Sequence, residues 1–376
     1  MGKGLAGEML GDCLAIYKNL CLAMPDYEVG IILINYQDYA QKYLPACLES
    51  LRRQEGVSWR LFIVDNASSP DSRSFLKETA PEAELIINNN NDGFAKGNND
   101  ALKILNERGC AYAWVLNMDT QVASDALSLA LGVLSSDKTL GAVQSRLMLF
   151  PEKDLINSLG NTAHFLGFGY CLGYREALAA KEIKDADIFY PSGAAVLFRL
   201  SALEESGLFD ENFWMYSEDQ DLGWRLWLLG YRSRLASASV VWHQYEFSRS
   251  ISKYYWMDRN RTLAIIKNYS LPTLMLIFPA WLLMEFGLFI FSLKSGWFKE
   301  KLKVWAYFCR LSTWRYLYYS RREIQSCRRL RDREILPLLS GRIWYQEIGD
   351  WKLRLANPFF QLYFSFIKLL ADVFRF

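Results

Sequence analysis

Asp119 stands where a short apolar, β-compatible run, Ala113-Trp114-Val115-Leu116, passes through Asn117-Met118 and gives out. Two earlier runs end the same way. Val29 to Ile34 stops at Asn35-Tyr36, and Leu61 to Val64 stops at Asp65-Asn66. In open α/β sheets, ligands bind in the crevice outside the carboxyl ends of the strands. A carboxylate there can hold a hard divalent cation, and that cation can hold a diphosphate. Asp65 with Asn66 can accept and donate hydrogen bonds to a pyrimidine and a ribose. Each of these residues also suits a helix cap or a turn, but three at corresponding positions favour a site.

A second set lies downstream. Gly193-Ala194 supplies small residues that let a ligand approach the backbone. Ser217-Glu218-Asp219-Gln220 opens a helix that Gly230 ends. One reading is structural, a capping box between Ser217 and Gln220. The other exposes Glu218-Asp219 at the helix start, where a carboxylate can take a proton from a hydroxyl. His243, one of two histidines, ends the run Val240-Val241-Trp242 and precedes Ser248-Arg249-Ser250. A lone histidine after an apolar run is usually structural. The acidic cluster before it makes this one a candidate metal or phosphate ligand. No Ser-His-Asp set or P-loop pattern competes.

The elements that must position these residues alternate. Apolar runs at 29–36, 60–66, 84–87 and 113–119 are separated by helical stretches, the first at about 43–54. This βαβ spacing predicts a mostly parallel sheet with right-handed crossovers. Gly93 and Gly97 bound a tight turn that opens a helix running to about Arg108. The chain has 376 residues, 51% of them hydrophobic and 15% aromatic, enough for a large core. Its 7 cysteines are scattered with no CxxC, which fits a reducing compartment and argues against a zinc site. Charged residues interrupt every apolar run of the first 25 residues, so no signal peptide is read there. Leu5, Met9, Cys13, Tyr17 and Leu20 suit an amphipathic helix, and Met24 is an alternative start.

Net charge is +2, yet from Phe291 onward there are 17 Lys/Arg against 7 Asp/Glu. Such a tail suits an anionic surface. Just before it, 271–293 carries Glu285 as its only charge. About 20 apolar residues suffice to span a bilayer. However, Pro272 and Pro279 interrupt the run, and a mid-bilayer Glu285 would cost about 2.5–3.5 kcal/mol. A span would also place the basic tail outside, against the positive-inside tendency. The expectation is therefore a shallow or re-entrant helix pair, with Trp297, Trp305, Tyr307, Trp314 and Tyr316 at the interface. A buried helix of a soluble bundle, or a homodimer interface, is the alternative.

In order, Ile34-Asn35-Tyr36, Val64-Asp65-Asn66-Ala67-Ser68, Gly93-Phe94-Ala95-Lys96-Gly97-Asn98-Asn99, Leu116-Asn117-Met118-Asp119, Gly193-Ala194, Ser217-Glu218-Asp219-Gln220-Asp221-Leu222 and Trp242-His243 resemble glycosyltransferase family 2. The likeness is to its bacterial rhamnosyltransferase-like branch and covers about residues 27–265. It implies a GT-A fold, Rossmann-like, with a mostly parallel central sheet flanked by helices. It also implies a nucleotide-sugar donor and a divalent metal, Mg or Mn. On that resemblance Asp119 and His243 hold the metal, Asp119 matching the last residue of a DxD-like motif. Asp65 contacts the nucleobase, within a donor-binding set of Asn35, Tyr36, Asp65, Asn66, Gly93, Phe94, Lys96, Asn98 and Asn117. Asp219 is the general base, with Glu218 beside it, and Gly193, Ala194, Trp214 and Arg225 face the acceptor. Two departures stand out: Asn117 replaces the first aspartate of a full DxD, and Lys96 replaces a small residue.

The expected organisation is a helical extension (1–25), a GT-A domain (26–265) and a helical, basic and aromatic membrane-associating region (266–376). The expected activity is inverting transfer from dTDP-rhamnose or a UDP-sugar to a hydroxyl of a glycan or lipid-linked acceptor. Its setting would be cell-surface polysaccharide synthesis at the cytoplasmic face of the inner (plasma) membrane, peripheral or monotopic. Nucleic acid is not an expected partner. A sugar-nucleotide nucleotidyltransferase would need a Gly-rich basic loop after the first strand, which is absent here. The other alternative is an inactive nucleotide-sugar-binding subunit of a membrane assembly.

Overall fold

The computed structural model describes residues 27–180, 182–244, 251–344 and 351–376, with backbone alone at 351–354. The expected N-terminal helix and Ser248-Arg249-Ser250 lie outside the described residues. Strand β1 (Val29–Tyr36) is buried through Ile34 apart from part of that residue, which explains its unbroken apolar sequence. Helix α1 (Tyr39–Leu51), β2 (Trp59–Asn66), α2 (Pro70–Thr79), β3 (Glu84–Asn88), α3 (Gly93–Glu107) and β4 (Tyr112–Leu116) complete the alternating half. Next come β5 (Thr120–Val122), α4 (Ala126–Ser136) and β6 (Leu140–Leu149). Short strands β7 (Ile156–Ser158), β8 (Asn161–Ala163), β9 (Gly169–Cys171) and β10 (Ala186–Ile188) lead to β11 (Ala195–Arg199). Helices α5 (Leu200–Ser206) and α6 (Glu218–Leu228) precede β12 (Arg232–His243).

The main sheet runs β10-β12-β6-β11-β4-β1-β2-β3. Strands β3, β2, β1 and β4 are parallel, as are β6 and β12. Between these blocks β11 runs antiparallel to both neighbours. The chain enters β11 from the carboxyl rim of β4, with Ala195 opposite Leu116, so the strand must run back from that rim. The reversal delivers Gly193 and Ala194 beside Asn117, whose N–H donates to the Ala194 carbonyl at 3.0 Å. One core lies under α1 and α4 and a second under α3, α5 and α6, on the two faces of the sheet.

The rest is helical: α7 (Ser252–Asn268), α8 (Leu271–Lys294), α9 (Phe298–Phe308), α10 (Leu311–Cys327), α11 (Asp332–Ile335) and α12 (Trp351–Phe374). Pro272 sits in the first turn of α8, where its missing N–H is harmless, and Pro279 is accommodated inside the helix. The expected broken segment is thus one continuous 24-residue helix. Among the described residues it alone is long and apolar enough to cross a membrane, and only 11% of its most apolar window is buried. Glu285 is not bare: it pairs with Arg261 of α7 at 2.5 Å and with Lys301 of α9 at 2.6 Å. Asp258 completes this cluster, 2.7 Å from each cation. Trp297, expected at an interface, is buried instead and stacks on Tyr254 at 4.9 Å.

Candidate active site

The β1 and β2 ends are built alike. Asn35 lies opposite Asp65, and Tyr36 opposite Asn66. Each strand then turns through a left-handed residue, Gln37 (φ 52°) and Ala67 (φ 54°). Over this rim opens a cleft of about 670 Å³, lined by Tyr36, Tyr39, Lys42, Tyr43 and the two turn residues. That size suits a small ligand. Tyr36 is 41% exposed at its edge.

Asn35 and Asp65 set the shape of this rim from within. The Asn35 carbonyl oxygen accepts the Ala40 N–H at 2.9 Å and so caps α1 from the strand end. Asp38, at the helix boundary, makes no side-chain cap. This explains why α1 begins at Tyr39 and not near residue 43. Asn35 donates to Asp65 Oδ1 at 2.9 Å, and Arg73 donates to Asp65 Oδ2 at 2.7 Å. Asn66 donates to the Gly93 carbonyl at 3.0 Å. Gly93 (φ +79°) is the first residue of α3, not the edge of a free turn. A Cβ there would lie 2.4 Å from the Trp214 carbonyl oxygen, so only glycine fits. Lys96 is held by Asp92 and Asp100 at 3.1 and 3.0 Å. Asn98 is buried and donates to the Phe94 carbonyl.

Asp119 and His243 come together across β5 and β12, where His243 pairs with Thr120. Asp119 Oδ2 accepts the Tyr39 hydroxyl at 2.6 Å. Its Oδ1 is buried without a hydrogen bond, 3.3 Å from His243 Nε2. On the far side of the ring, Nδ1 faces Asn157 Oδ1 at 3.0 Å. With the proton on Nδ1 the ring would turn an Nε2 lone pair toward the carboxylate; with it on Nε2 the ring would donate to Asp119. Burial pushes the Asp119 carboxyl up, but His243 and Tyr39 overcome it and hold it below the ordinary value. In the first tautomer Nε2 and the Asp119 Oδ1, 3.3 Å apart, would suit a shared cation. Among the described residues no cluster of three or more His, Cys, Asp or Glu side chains gathers to hold a metal. A Mg-type ion held there would take its remaining ligands from phosphate and water.

Asp219 forms a separate centre. Its Oδ2 accepts the Gly193 N–H at 3.2 Å and its Oδ1 accepts the Gln220 N–H at 2.8 Å. Burial raises its pKa to about 6 despite those donors. Glu218 is pushed well above the ordinary range, first by burial and then by the Asp219 charge. Of the pair, Asp219 is the easier to ionise. The capping box does not form. Ser217 lies in the left-handed region (φ 63°) with no side-chain cap, and the Gln220 side chain donates to the Gly167 carbonyl. The preceding turn is held elsewhere: Asn260 of α7 donates to the carbonyls of Phe213, Met215 and Tyr216 at 2.9, 3.0 and 2.7 Å.

Gly193 packs on Phe94, whose ring would lie 2.9 Å from an added Cβ, so a residue expected on the donor side meets one expected on the acceptor side. Trp214 donates to the Asn91 carbonyl and stacks on Trp256 at 4.6 Å. Arg225, expected on the acceptor side, is placed elsewhere. It is buried, pairs with Asp221 at 2.9 Å and donates to the carbonyls of Ser206, Gly207 and Leu208. Its reach is consumed in fastening α6 to the end of α5. Tyr39, Asn157 and Asn260 are additions that the sequence did not single out.

Two carboxylates with opposed pKa shifts, one beside an imidazole and one beside a glycine rim, sit on an α/β sheet whose residues 30–207 match the family model Glycosyl transferase family 2. Residues 30–207 thus resemble glycosyltransferase family 2. The chain is 23% identical over 184 residues to poly-beta-1,6-N-acetyl-D-glucosamine synthase of Staphylococcus aureus (strain COL). The match covers 48% of this chain and 42% of the synthase, so the chain spans less than half of that relative. The chain shares its fold with GalNAc-T7, whose crystal structure contains UDP, GalNAc and Mn2+. The TM-score is 0.51 at 10% identity, over 64% of this chain and 48% of that one. S. aureus TarS 1-349 in complex with UDP aligns over 93% of this chain and 91% of its own. Its TM-score of 0.47 at 15% identity is too low to argue from.

Proposed function

We propose that the chain is an inverting, metal-dependent glycosyltransferase. It would use a UDP-sugar or dTDP-rhamnose and a hydroxyl of a glycan or lipid-linked acceptor, in cell-surface polysaccharide synthesis at the cytoplasmic face of a membrane. The observation that carries this reading is the split between the two carboxylates. Environments that push titratable groups apart mark acid/base assignments. Asp119, held ionised, and His243 Nε2 suit a Mg or Mn ion, which when bound neutralises the leaving diphosphate. The cleft over Tyr36, Gln37 and Ala67 suits the nucleoside. Asp219, with a pKa near neutrality, takes the proton of the acceptor hydroxyl. The freed oxygen bonds to the anomeric carbon while the carbon–oxygen bond to the diphosphate breaks, its electron pair leaving with the phosphate. One displacement inverts the anomeric centre. Burial and the Asp219 charge make Glu218 harder to ionise, which favours Asp219 as the base.

The membrane part of the proposal rests on the helical tail. Met275, Phe286, Leu362 and Val373 are 65, 61, 73 and 63% exposed on α8 and α12. Apolar patches of this extent mark interaction surfaces, and the basic tail suits anionic headgroups.

A screen of UDP- and dTDP-sugars with Mn(II) or Mg(II), with product anomer read by NMR, tests the chemistry. Retention of configuration would sink the single displacement, and absence of any donor turnover would sink the enzyme. Sedimentation of the full chain with anionic vesicles tests the surface. Protein left in the supernatant at physiological salt would remove the membrane.

A further inference from the structure

The turn from Phe213 to Ser217 is the most unusual stretch of backbone near the site. Trp214 (φ 61°), Tyr216 (φ 70°) and Ser217 (φ 63°) all have positive φ, and none is glycine. Such conformations persist only where surrounding structure over-determines them. The turn also touches both halves of the site. The Trp214 carbonyl accepts the Ala95 N–H at 3.2 Å from the start of α3, and Ser217 leads directly into Glu218-Asp219.

Two consecutive residues of α7, Arg259 and Asn260, over-determine it, and their neighbours Asp258 and Arg261 anchor that stretch of the helix. Asn260, wholly buried, aims its amide at three carbonyls of the turn. Arg259 donates to the Phe213 carbonyl at 3.2 Å and lies 4.4 Å over the Trp256 ring, which stacks on Trp214. Arg261 donates to the Leu166 carbonyl at 3.0 Å, and Asp258 and Arg261 tie the same helical turn to Lys301 and Glu285. One amide satisfying three carbonyls, in a segment whose own N-cap side chain makes no bond, is the structural substitute for the missing capping box.

Resting on the proposed role of Asp219 as base, we propose that Asn260 is a positioning residue for that reaction. By clamping the 213–216 carbonyls it holds the left-handed entry into α6, and with it the angle at which Asp219 meets the Gly193 N–H. Asn260 touches neither substrate nor reacting atoms. Its effect passes through the turn, so it acts on turnover and leaves donor binding at the β1–β2 rim alone.

The test compares Asn260→Ala, which removes the amide, with Asn260→Asp, which keeps its shape and replaces donors by acceptors. Both should lower kcat for acceptor-dependent transfer on the order of 10²-fold, since a 1 Å misplacement can cost that much. KM for the donor and Mn(II)-dependent UDP affinity by calorimetry should stay within about threefold. The acid limb of the pH–kcat profile should move below its wild-type position near pH 6, as a loosened Asp219 hydrates. Wild-type kcat in Asn260→Asp would overturn the proposal, because shape alone would then suffice. Loss of UDP affinity in both variants would also overturn it, because Asn260 would then support the whole domain. Asp219→Asn, assayed alongside, separates the two ideas. If it turns over normally, the base assignment fails. If it is dead while the Asn260 variants are normal, only the positioning role fails.

Discussion

The two halves of the proposed active site are held by different means. On the proposed donor half, β1 and β2 lie in register, and their terminal Asn35, Asp65 and Asn66 bond mainly to each other and to the helices that follow. Strand pairing itself fixes this rim. On the acceptor half no strand reaches Asp219. A strained turn carries it, and α7 clamps that turn while being tied to α8 and α9 by buried charges. Secondary structure suffices to build the first half; the second depends on parts of the chain 40 or more residues away.

Asp219→Asn makes the largest cut between the halves. It should lower transfer about 10²–10⁴-fold, the usual range for a lost general base. Calorimetric affinity for UDP with Mn(II) should remain. An equal loss in both readouts would mean that the halves are not separable.

Glu285→Ala probes the tether. Removing one partner of a buried ion pair typically costs about 3–5 kcal/mol. Asp258 still faces Arg261 and Lys301, so the lower end, about 3 kcal/mol, is expected from the denaturant midpoint. A separate early transition for the helical tail, with UDP binding intact beyond it, would sharpen the contrast. An unchanged midpoint would show that the cluster holds nothing.

Asn157→Leu bears on the donor half. It frees the His243 tautomer, and loss of such an outer partner commonly lowers metal affinity about 10–100-fold. Manganese titration by electron paramagnetic resonance checks this without any turnover. Unaltered Mn(II) affinity would remove Asn157, and with it the imidazole, from the ion's surroundings.

The smallest effect is the pH response. The Asp219 pKa is raised to about 6, and the residue works only when ionised. Transfer should therefore fall roughly tenfold per pH unit below about 6. Asp119 should add nothing to that limb, because it is held below the ordinary carboxylate value. A limb that survives in the residual turnover of Asp219→Asn would assign it to another group.

The same contrast explains what the sequence made legible. Runs such as Val29–Ile34 and Leu61–Val64 announce buried parallel strands, and a polar residue after each marks the rim, because register is local information. Asp119, Asp219 and His243 were visible as chemistry-bearing types at element ends. Asn35 carries both readings at once: it is on the rim and it caps α1. Ser217 misled because its spacing to Gln220 satisfies a capping box on paper, while α7 imposes a backbone in which the box cannot close. Arg225 misled because helix spacing does not tell which face meets α5. Tyr39, Asn157 and Asn260 left no local signal. Each is an ordinary residue whose partner lies 80, 86 or some 45 positions away.

The charge cluster at Glu285 has a geometric meaning apart from stability. Arg261 and Lys301 join α8 to the helix that grips the catalytic turn, and Asp332 joins its first turn through Ser270 and Thr273. The exposed apolar face and the Asp219 carboxylate therefore behave as two marks on one ruler. If that face rests on a bilayer, the reactive carboxylate hangs at a fixed height above the lipid. Acceptors would then be sorted by how far their hydroxyl stands from the surface before any contact in the cleft discriminates among them.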